Sequence, residues 1–190
     1  MENNLFSLSG KTAMVTGGGR GIGLAIAKGL ARHGADIAIV ARTKEQLEAT
    51  AKQIHAETDR KIHPFPFDLG KIESIDEFFQ SVIAETKGID ILVNCAGTTI
   101  RGPAEDVDLK TWSQVMEVNL TSAFVLSQAF CRHRKQSGKG GRIINIGSLT
   151  CHGARPTTAA YASSKGGLLM LTKTLAVEWA KFNINVNAIG

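Results

Sequence analysis

The chain has 190 residues, 43% of them hydrophobic and 21% charged, a balance that suits one globular core and excludes a disordered tail, a collagen and a coiled coil. Its formal net charge of +5 comes from 22 basic and 17 acidic residues interleaved along most of the sequence, so no nucleic-acid partner is expected. No apolar run reaches the ~18 residues that cross a bilayer, and Met1, Glu2, Asn3 and Asn4 form neither a basic nor an apolar leader, which makes the cytoplasm the expected location.

Short apolar runs alternate with longer stretches of helical period, the pattern of parallel βαβ units. Strands are expected at Lys11–Thr16, Asp36–Ala41, Ile62–Phe67, Asp90–Val93, Arg142–Ile146 and Ile184–Ala188. The first helix is expected over Gly21–His33, with Ile22, Ile26 and Leu30 at helical spacing, and the second over Lys44–Glu57. A third runs from Ser74, read as an N-cap with Glu77 completing a capping box, to Lys87, with Gly88 marking its end. The stretch Leu109–Arg134 is helical in character but interrupted at Asn119, and a long helix covers Tyr161–Lys181. The fold class is α/β, a doubly wound parallel sheet in a single domain spanning 1–190. The last strand runs into Ile189 and Gly190, where a pocket wall is expected to follow; a truncated chain is the favoured reading over an unusually open pocket.

Cys95, Cys131 and Cys151 are too few and too scattered for a disulfide framework, and neither they nor His33, His55, His63, His133 and His152 fall in a metal-ligand spacing. Reduced thiols and no metal are expected. The densest basic cluster, Arg132, His133, Arg134, Lys135, Lys139 and Arg142, reads as a solvated helix end and turn, because no aromatic or helix-turn-helix pattern accompanies it.

Between the first strand and first helix lies Thr16-Gly17-Gly18-Gly19-Arg20-Gly21-Ile22-Gly23, a TGxxxGxG turn. A strand, a glycine-rich turn and a helix N-terminus together make a pyrophosphate site, because missing Cβ atoms admit the phosphates and free N–H groups point at them; a purely structural bend is the alternative. Just past the second strand, where a carboxylate would bind an adenosine ribose and repel a 2′-phosphate, the sequence reads Val40-Ala41-Arg42. Arg42 and Arg20 suit a phosphate dianion, which favours NADP(H) over NAD(H), unless both are simply solvated.

Tyr161 and Lys165 are four residues apart at the start of the long helix, so their side chains share one face. A tyrosine hydroxyl titrates near 10, too high for a base at neutral pH, and a neighbouring ammonium favours its phenolate. Ser148, at the tip of the fifth strand, offers a hydroxyl to a substrate oxygen. Alone, the YxxxK pair could be a surface pair.

Taken in order, TGxxxGxG, Asn94-Cys95-Ala96-Gly97, Asn119, Ser148 and Tyr161-Ala162-Ser163-Ser164-Lys165 closely resemble the short-chain dehydrogenase/reductase family along the whole chain. The resemblance implies a Rossmann fold that here lacks the family's Pro-Gly turn, substrate-covering segment and seventh strand. Cys95 stands where the family usually has a second Asn, a mild departure. The resemblance further implies catalytic roles: Tyr161 as general acid or base, Lys165 on the nicotinamide ribose, Ser148 on the substrate oxygen and Asn119 anchoring a water of a proton relay. It assigns Gly17, Arg20, Gly21, Ile22, Gly23, Arg42, Asp68, Leu69, Asn94, Ala96 and Gly97, with Tyr161 and Lys165, to the cofactor, and implies a homo-oligomer, usually a tetramer packed through the fifth and sixth helices.

Within the family the chain is most similar to sugar-acid dehydrogenases of the gluconate 5-dehydrogenase and 2-deoxygluconate 3-dehydrogenase type, with 3-oxoacyl-carrier-protein reductase as the alternative and a nucleotide-sensing binding protein as the non-enzymatic one. Arg101, in the loop after Gly97, is the expected grip on a substrate carboxylate, against the reading of a loop arginine facing water. The substrate is then a small molecule held by Arg101, Ser148 and Tyr161.

Overall fold

The computed structural model describes residues 5–190; Met1–Asn4, from which the absence of a leader was read, lie outside the described residues. Strands β1 (Thr12–Thr16), β2 (Asp36–Ala41), β3 (Ile62–Pro66), β4 (Ile91–Asn94), β5 (Gly141–Ile146) and β6 (Ile184–Ile189) form one parallel sheet in the order β3-β2-β1-β4-β5-β6. Helices α1 (Gly21–Arg32), α2 (Lys44–Thr58), α3 (Ile75–Thr86), α4 (Leu109–Met116), α5 (Ser122–Ser137) and α6 (Ala159–Trp179) connect them. From β1 the chain steps outward to β3, returns to β4 on the other side of β1, and steps outward again to β6. That reversal opens a crevice beyond the tips of β1 and β4, as in doubly wound Rossmann sheets.

Strand alternation sorts the core into two layers. Ala13, Val15, Ile37, Ile39, Ile91 and Val93 pack with Ala27 and Ala31 of α1 and Leu47 and Ile54 of α2. Met14, Ala38, Val40, Leu92 and Ile143 point the other way, into Phe79 of α3, Phe130 of α5 and Leu175 of α6. Both layers are the period-two consequence of runs such as Ala13-Met14-Val15 in a sheet covered on both faces.

Two local expectations change, and a third, the interruption at Asn119, holds. Ser74 makes no side-chain cap: a short 3-10 turn, Ile72–Ser74, leads straight into α3, so its backbone is already helical. The left-handed residue that ends α3 is Lys87, at φ 62°, with Gly88 following at φ 131°. The long helical stretch divides into α4 and α5 around a π-helical turn, Glu117–Thr121, which carries Asn119. Among the described residues, no helix is long and apolar enough to cross a membrane.

Candidate active site

The glycine turn lies between the tips of β1 and β2. Gly17 and Gly21 hold left-handed φ values of 69° and 54°. A Cβ on Gly23 would sit 2.2 Å from the Gly17 carbonyl oxygen, so glycine there lets α1 begin directly against the turn. Thr50 of α2 braces the turn by donating its hydroxyl to the Gly19 carbonyl at 3.1 Å. Arg20, the N-cap of α1, offers no side-chain cap, so the first N–H groups of α1 remain available to an anion.

From this turn a cavity of about 1070 Å³ runs across the strand tips. One end is walled by Arg20, Arg42, Asp68 and Leu69, the middle by Gly17, Gly21, Ile22, Gly23, Ala96 and Gly97, and the far end by Arg101, Ser148, Tyr161 and Lys165. Its volume is at the upper end of small-ligand sites, ~300–1,000 Å³, and suits a dinucleotide with a small substrate. The glycine cradle, the open helix N-terminus and the cationic end fit a nicotinamide dinucleotide. A smaller cavity of about 380 Å³ at the opposite end of the sheet is walled in part by Arg134 and Asp90, already paired with each other at 3.1 Å.

Lys165 is only 5% exposed, and its Nζ donates to the Ile146 carbonyl at 2.7 Å. Burial pushes its ammonium below the usual lysine range, partly opposed by Cys95 and Cys151. The same Nζ lies 5.9 Å from the centre of the Tyr161 ring, as the one-turn spacing requires. Ser148 Oγ accepts from the Thr150 N–H at 3.1 Å and from the Thr150 hydroxyl at 2.9 Å. Both are acceptances, so the Ser148 proton remains available to donate into the cavity.

Two expected residues stand behind the wall rather than on it. Asn94 shares the strand face of Leu92, and its side chain points into the core, where Nδ2 donates to Asn145 Oδ1 at 2.8 Å and Ser127 Oγ at 3.2 Å. Asn119, 1% exposed, spends both amide hydrogens on the Thr98 carbonyl and Ser164 Oγ. Its side chain therefore has no donor left, and a relay water there would be held by donating to an oxygen of Asn119. Asp68 forms a local turn, its Oδ1 accepting from the Gly70 N–H at 3.0 Å.

Other residues of the site escaped the sequence reading. Thr16 Oγ1 accepts from the Cys95 and Ala96 N–H groups at 2.9 and 3.0 Å, pinning the loop after β4 to the end of β1. Gln46 and Arg155 line the cavity. Arg155 follows strand β5 in the same way that Arg101 follows β4, and that topological offset was the available signal. Cys95 also reaches the wall, its thiol pushed up by burial and partly drawn down by Lys165.

The arginines divide sharply. Arg32, Arg60, Arg132 and Arg134 are paired with Glu57, Asp36, Asp76 and Asp90, and Arg142 donates to the Gly141 carbonyl. Arg20, Arg42, Arg101 and Arg155 all line the cavity, and among the described residues none has an ion-pair partner.

The sequence profile described as short chain dehydrogenase matches residues 11–190. The chain belongs to the short-chain dehydrogenase family. Members of this family are oxidoreductases that bind a nicotinamide cofactor. The chain is 37% identical to gluconate 5-dehydrogenase of Gluconobacter oxydans, over 98% of its own length and 72% of the relative's. It is 43% identical to 2-dehydro-3-deoxy-D-gluconate 5-dehydrogenase of Bacillus subtilis, again over 98% and 72%. The crystal structure of a gluconate 5-dehydrogenase from Burkholderia cenocepacia, in complex with NADP and tartrate, superimposes with a TM-score of 0.90 at 39% identity, covering 96% of this chain and 71% of that one.

Proposed function

We propose that this short-chain dehydrogenase uses NADP(H) to interconvert a secondary alcohol and a ketone on a sugar acid of the gluconate type. The observation that carries the reading is the convergence of Ser148, Tyr161 and Lys165 on one end of a cavity whose other end is the glycine turn with the unpaired Arg20 and Arg42. The bound nicotinamide supplies the hydride in reduction and accepts it in oxidation.

In reduction the Tyr161 hydroxyl gives its proton to the substrate oxygen, and in oxidation it takes that proton back. The free Ser148 hydroxyl donates to the same oxygen and stabilises its developing charge. Lys165 has ammonium hydrogens left over that would hold the nicotinamide ribose, and it sets a positive field beside Tyr161. Arg42 and Arg20, with no carboxylate at Ala41, support a 2′-phosphate and hence NADP(H). Arg101 takes the acid group of the substrate. The sugar-acid relatives and the NADP-bound neighbour support the same reading.

A homo-oligomer belongs to this proposal. Phe124 of α5 and Met170 and Val177 of α6 are 37%, 60% and 80% exposed, an apolar surface that a second copy would cover. Sedimentation velocity reads the state.

The decisive assay offers D-gluconate, 5-keto-D-gluconate, a neutral hexitol and an acetoacetyl thioester, each with NADP(H) and NAD(H), and follows the reduced nicotinamide. Preference for a sugar acid with NADP(H) is the expected result. Preference for the thioester would replace the proposal with a carrier-protein reductase, and cofactor binding without turnover of any compound would leave a nucleotide-binding role.

A further inference from the structure

We infer that Arg155 is a second specificity residue of this site, and that Arg155 and Arg101 together grip one carboxylate of the substrate from two loops. The inference rests on the sugar-acid reading above and adds to it a recognition residue from the loop after β5.

Arg101 belongs to the loop that follows β4, and Arg155 to the one between β5 and α6. The loops are joined directly, since the Gly102 N–H donates to the Thr157 carbonyl at 3.2 Å. Both arginines line the end of the cavity that holds Ser148 and Tyr161, and among the described residues neither has an ion-pair partner. Two exposed cations on one stretch of cavity wall, with no ion-pair partner among the described residues, favour an anion placed between them. A carboxylate has about four acceptor sites and can satisfy two guanidinium groups at once.

The segment carrying Arg155 is stiff. Pro156 restricts Arg155 to extended backbone and fixes its own φ. Thr157 is a β-branched residue at φ 65°, a left-handed conformation that L side chains adopt only under constraint. The Thr158 hydroxyl closes the turn by donating to the Arg155 carbonyl at 2.8 Å. Tyr161 follows within the first turn of α6, so one constrained segment fixes the backbone of Arg155 relative to that of Tyr161. A carboxylate held by both Arg155 and Arg101, on two loops joined through Gly102 and Thr157, is thereby confined to a narrow range of distances from the carbon being oxidised, which is how such a site would choose one hydroxyl of a polyhydroxy acid.

The test compares D-gluconate with D-sorbitol, the neutral hexitol of the same length, on the NADP⁺-loaded protein. Binding is read by calorimetry and turnover by kcat/KM, for wild type, Arg155→Ala, Arg155→Lys, Arg101→Ala and the double Ala variant. Arg155→Ala is expected to lower the gluconate-to-sorbitol ratio at least tenfold, mainly through KM, and Arg155→Lys to recover part of it. The double variant should lose less than the product of the single losses, because both groups hold one carboxylate. NADPH binding by each variant reports that it is folded. A ratio changed by Arg101→Ala but not by Arg155→Ala, or strictly multiplicative losses, would overturn the shared grip and leave the sugar-acid reading standing. A ratio unmoved in every variant would overturn the grip by either arginine, and no gluconate binding to the wild type would overturn the sugar-acid reading and the grip with it.

Discussion

Asn119 holds Thr98 as a neighbouring strand would: its Oδ1 accepts from the Thr98 N–H at 2.8 Å and its Nδ2 donates to the Thr98 carbonyl at 2.9 Å. The second Nδ2 hydrogen goes to Ser164 Oγ at 3.0 Å, and Ser164 donates in turn to the Tyr161 carbonyl at 2.7 Å. One buried amide thus links the loop after β4 to the helical turn that carries Tyr161. Asn119→Asp keeps the shape, removes both donations and sets a carboxylate against the Thr98 carbonyl. The change is expected to cost about 2–4 kcal/mol of stability, since buried groups left unpaired cost roughly 1–3 kcal/mol each. It should also lower kcat more than it raises the cofactor KM. An unchanged urea midpoint would remove the bracing role.

Tyr161→Phe keeps the ring and removes the proton that the substrate oxygen needs. Turnover should fall by more than about a hundredfold, at the scale of general acid–base catalysis, while NADPH binding measured by fluorescence persists. Lys165→Ala should damage both, because its Nζ bridges the Ile146 carbonyl and the cavity. Activity of Tyr161→Phe within tenfold of wild type, roughly 1.4 kcal/mol of barrier, would refute the assigned role.

The sheet and the order of the motifs were legible in the sequence because apolar periodicity and glycine spacing are local signals. What escaped it was set by hydrogen bonds between residues far apart in the chain. Thr16 meets Cys95 and Ala96 across the β1–β4 switch point, and no pattern within either segment announces it. Asn94 is a different case. The family motif suggested a cavity residue, whereas strand parity with Leu92 already turned its side chain toward Ser127 of α5. Ser74 has the residue type of a cap, but a preceding 3-10 turn removed the need for one. Arg155, in a loop, carries no period, and its one signal in the sequence is the place after a strand tip that it shares with Arg101.

Among the described residues Arg42 and Arg20 have no ion-pair partner at the end of the cavity proposed for the adenosine, with Ala41 where a carboxylate would favour NADH. Arg42→Ala should raise the KM for NADPH by about tenfold or more, the lower bound for a charge-assisted hydrogen bond of ~1.5–3 kcal/mol. The KM for NADH should move far less. Equal losses for both cofactors, or a wild-type preference for NADH, would count against a 2′-phosphate site.

His133 gives the fold a specific acid sensitivity. Burial pushes its imidazole below the usual value of 6.5, Arg134 adds to the effect and Asp90 opposes it. Its Nε2 faces the Ile89 N–H at 3.4 Å, an acceptance open only to the neutral ring. The folded state therefore binds fewer protons than the unfolded chain just below that value. The contribution is complete above the unfolded pKa and is lost as pH falls from it toward the lowered folded one. The wild-type urea midpoint should drop more between about pH 7.5 and about pH 5.5 than that of His133→Gln, which keeps an acceptor but cannot titrate. Parallel drops would clear His133 of the effect.

Thr16 separates packing from hydrogen bonding at the switch point. It is 1% exposed, and its hydroxyl accepts the Cys95 and Ala96 N–H groups at 2.9 and 3.0 Å while donating to the Val93 carbonyl at 3.3 Å. Thr16→Ser removes one methyl and keeps every bond, a loss of about 1 kcal/mol for a buried carbon. Thr16→Val keeps the shape and strands two N–H groups, a loss of roughly 2–4 kcal/mol at ~1–3 kcal/mol for each orphaned group. The two N–H groups belong to the loop that lines the cavity, and a Cβ on Gly17 would lie only 3.1 Å from Ala96 Cα. Loosening that loop shifts a wall of the cavity proposed for the cofactor, so NADPH affinity should follow stability in the order wild type, Thr16→Ser, Thr16→Val. Urea unfolding and a fluorescence titration measure the two quantities. A valine variant as stable as the serine variant would show that shape, rather than the shared hydroxyl, holds β1 to the loop after β4.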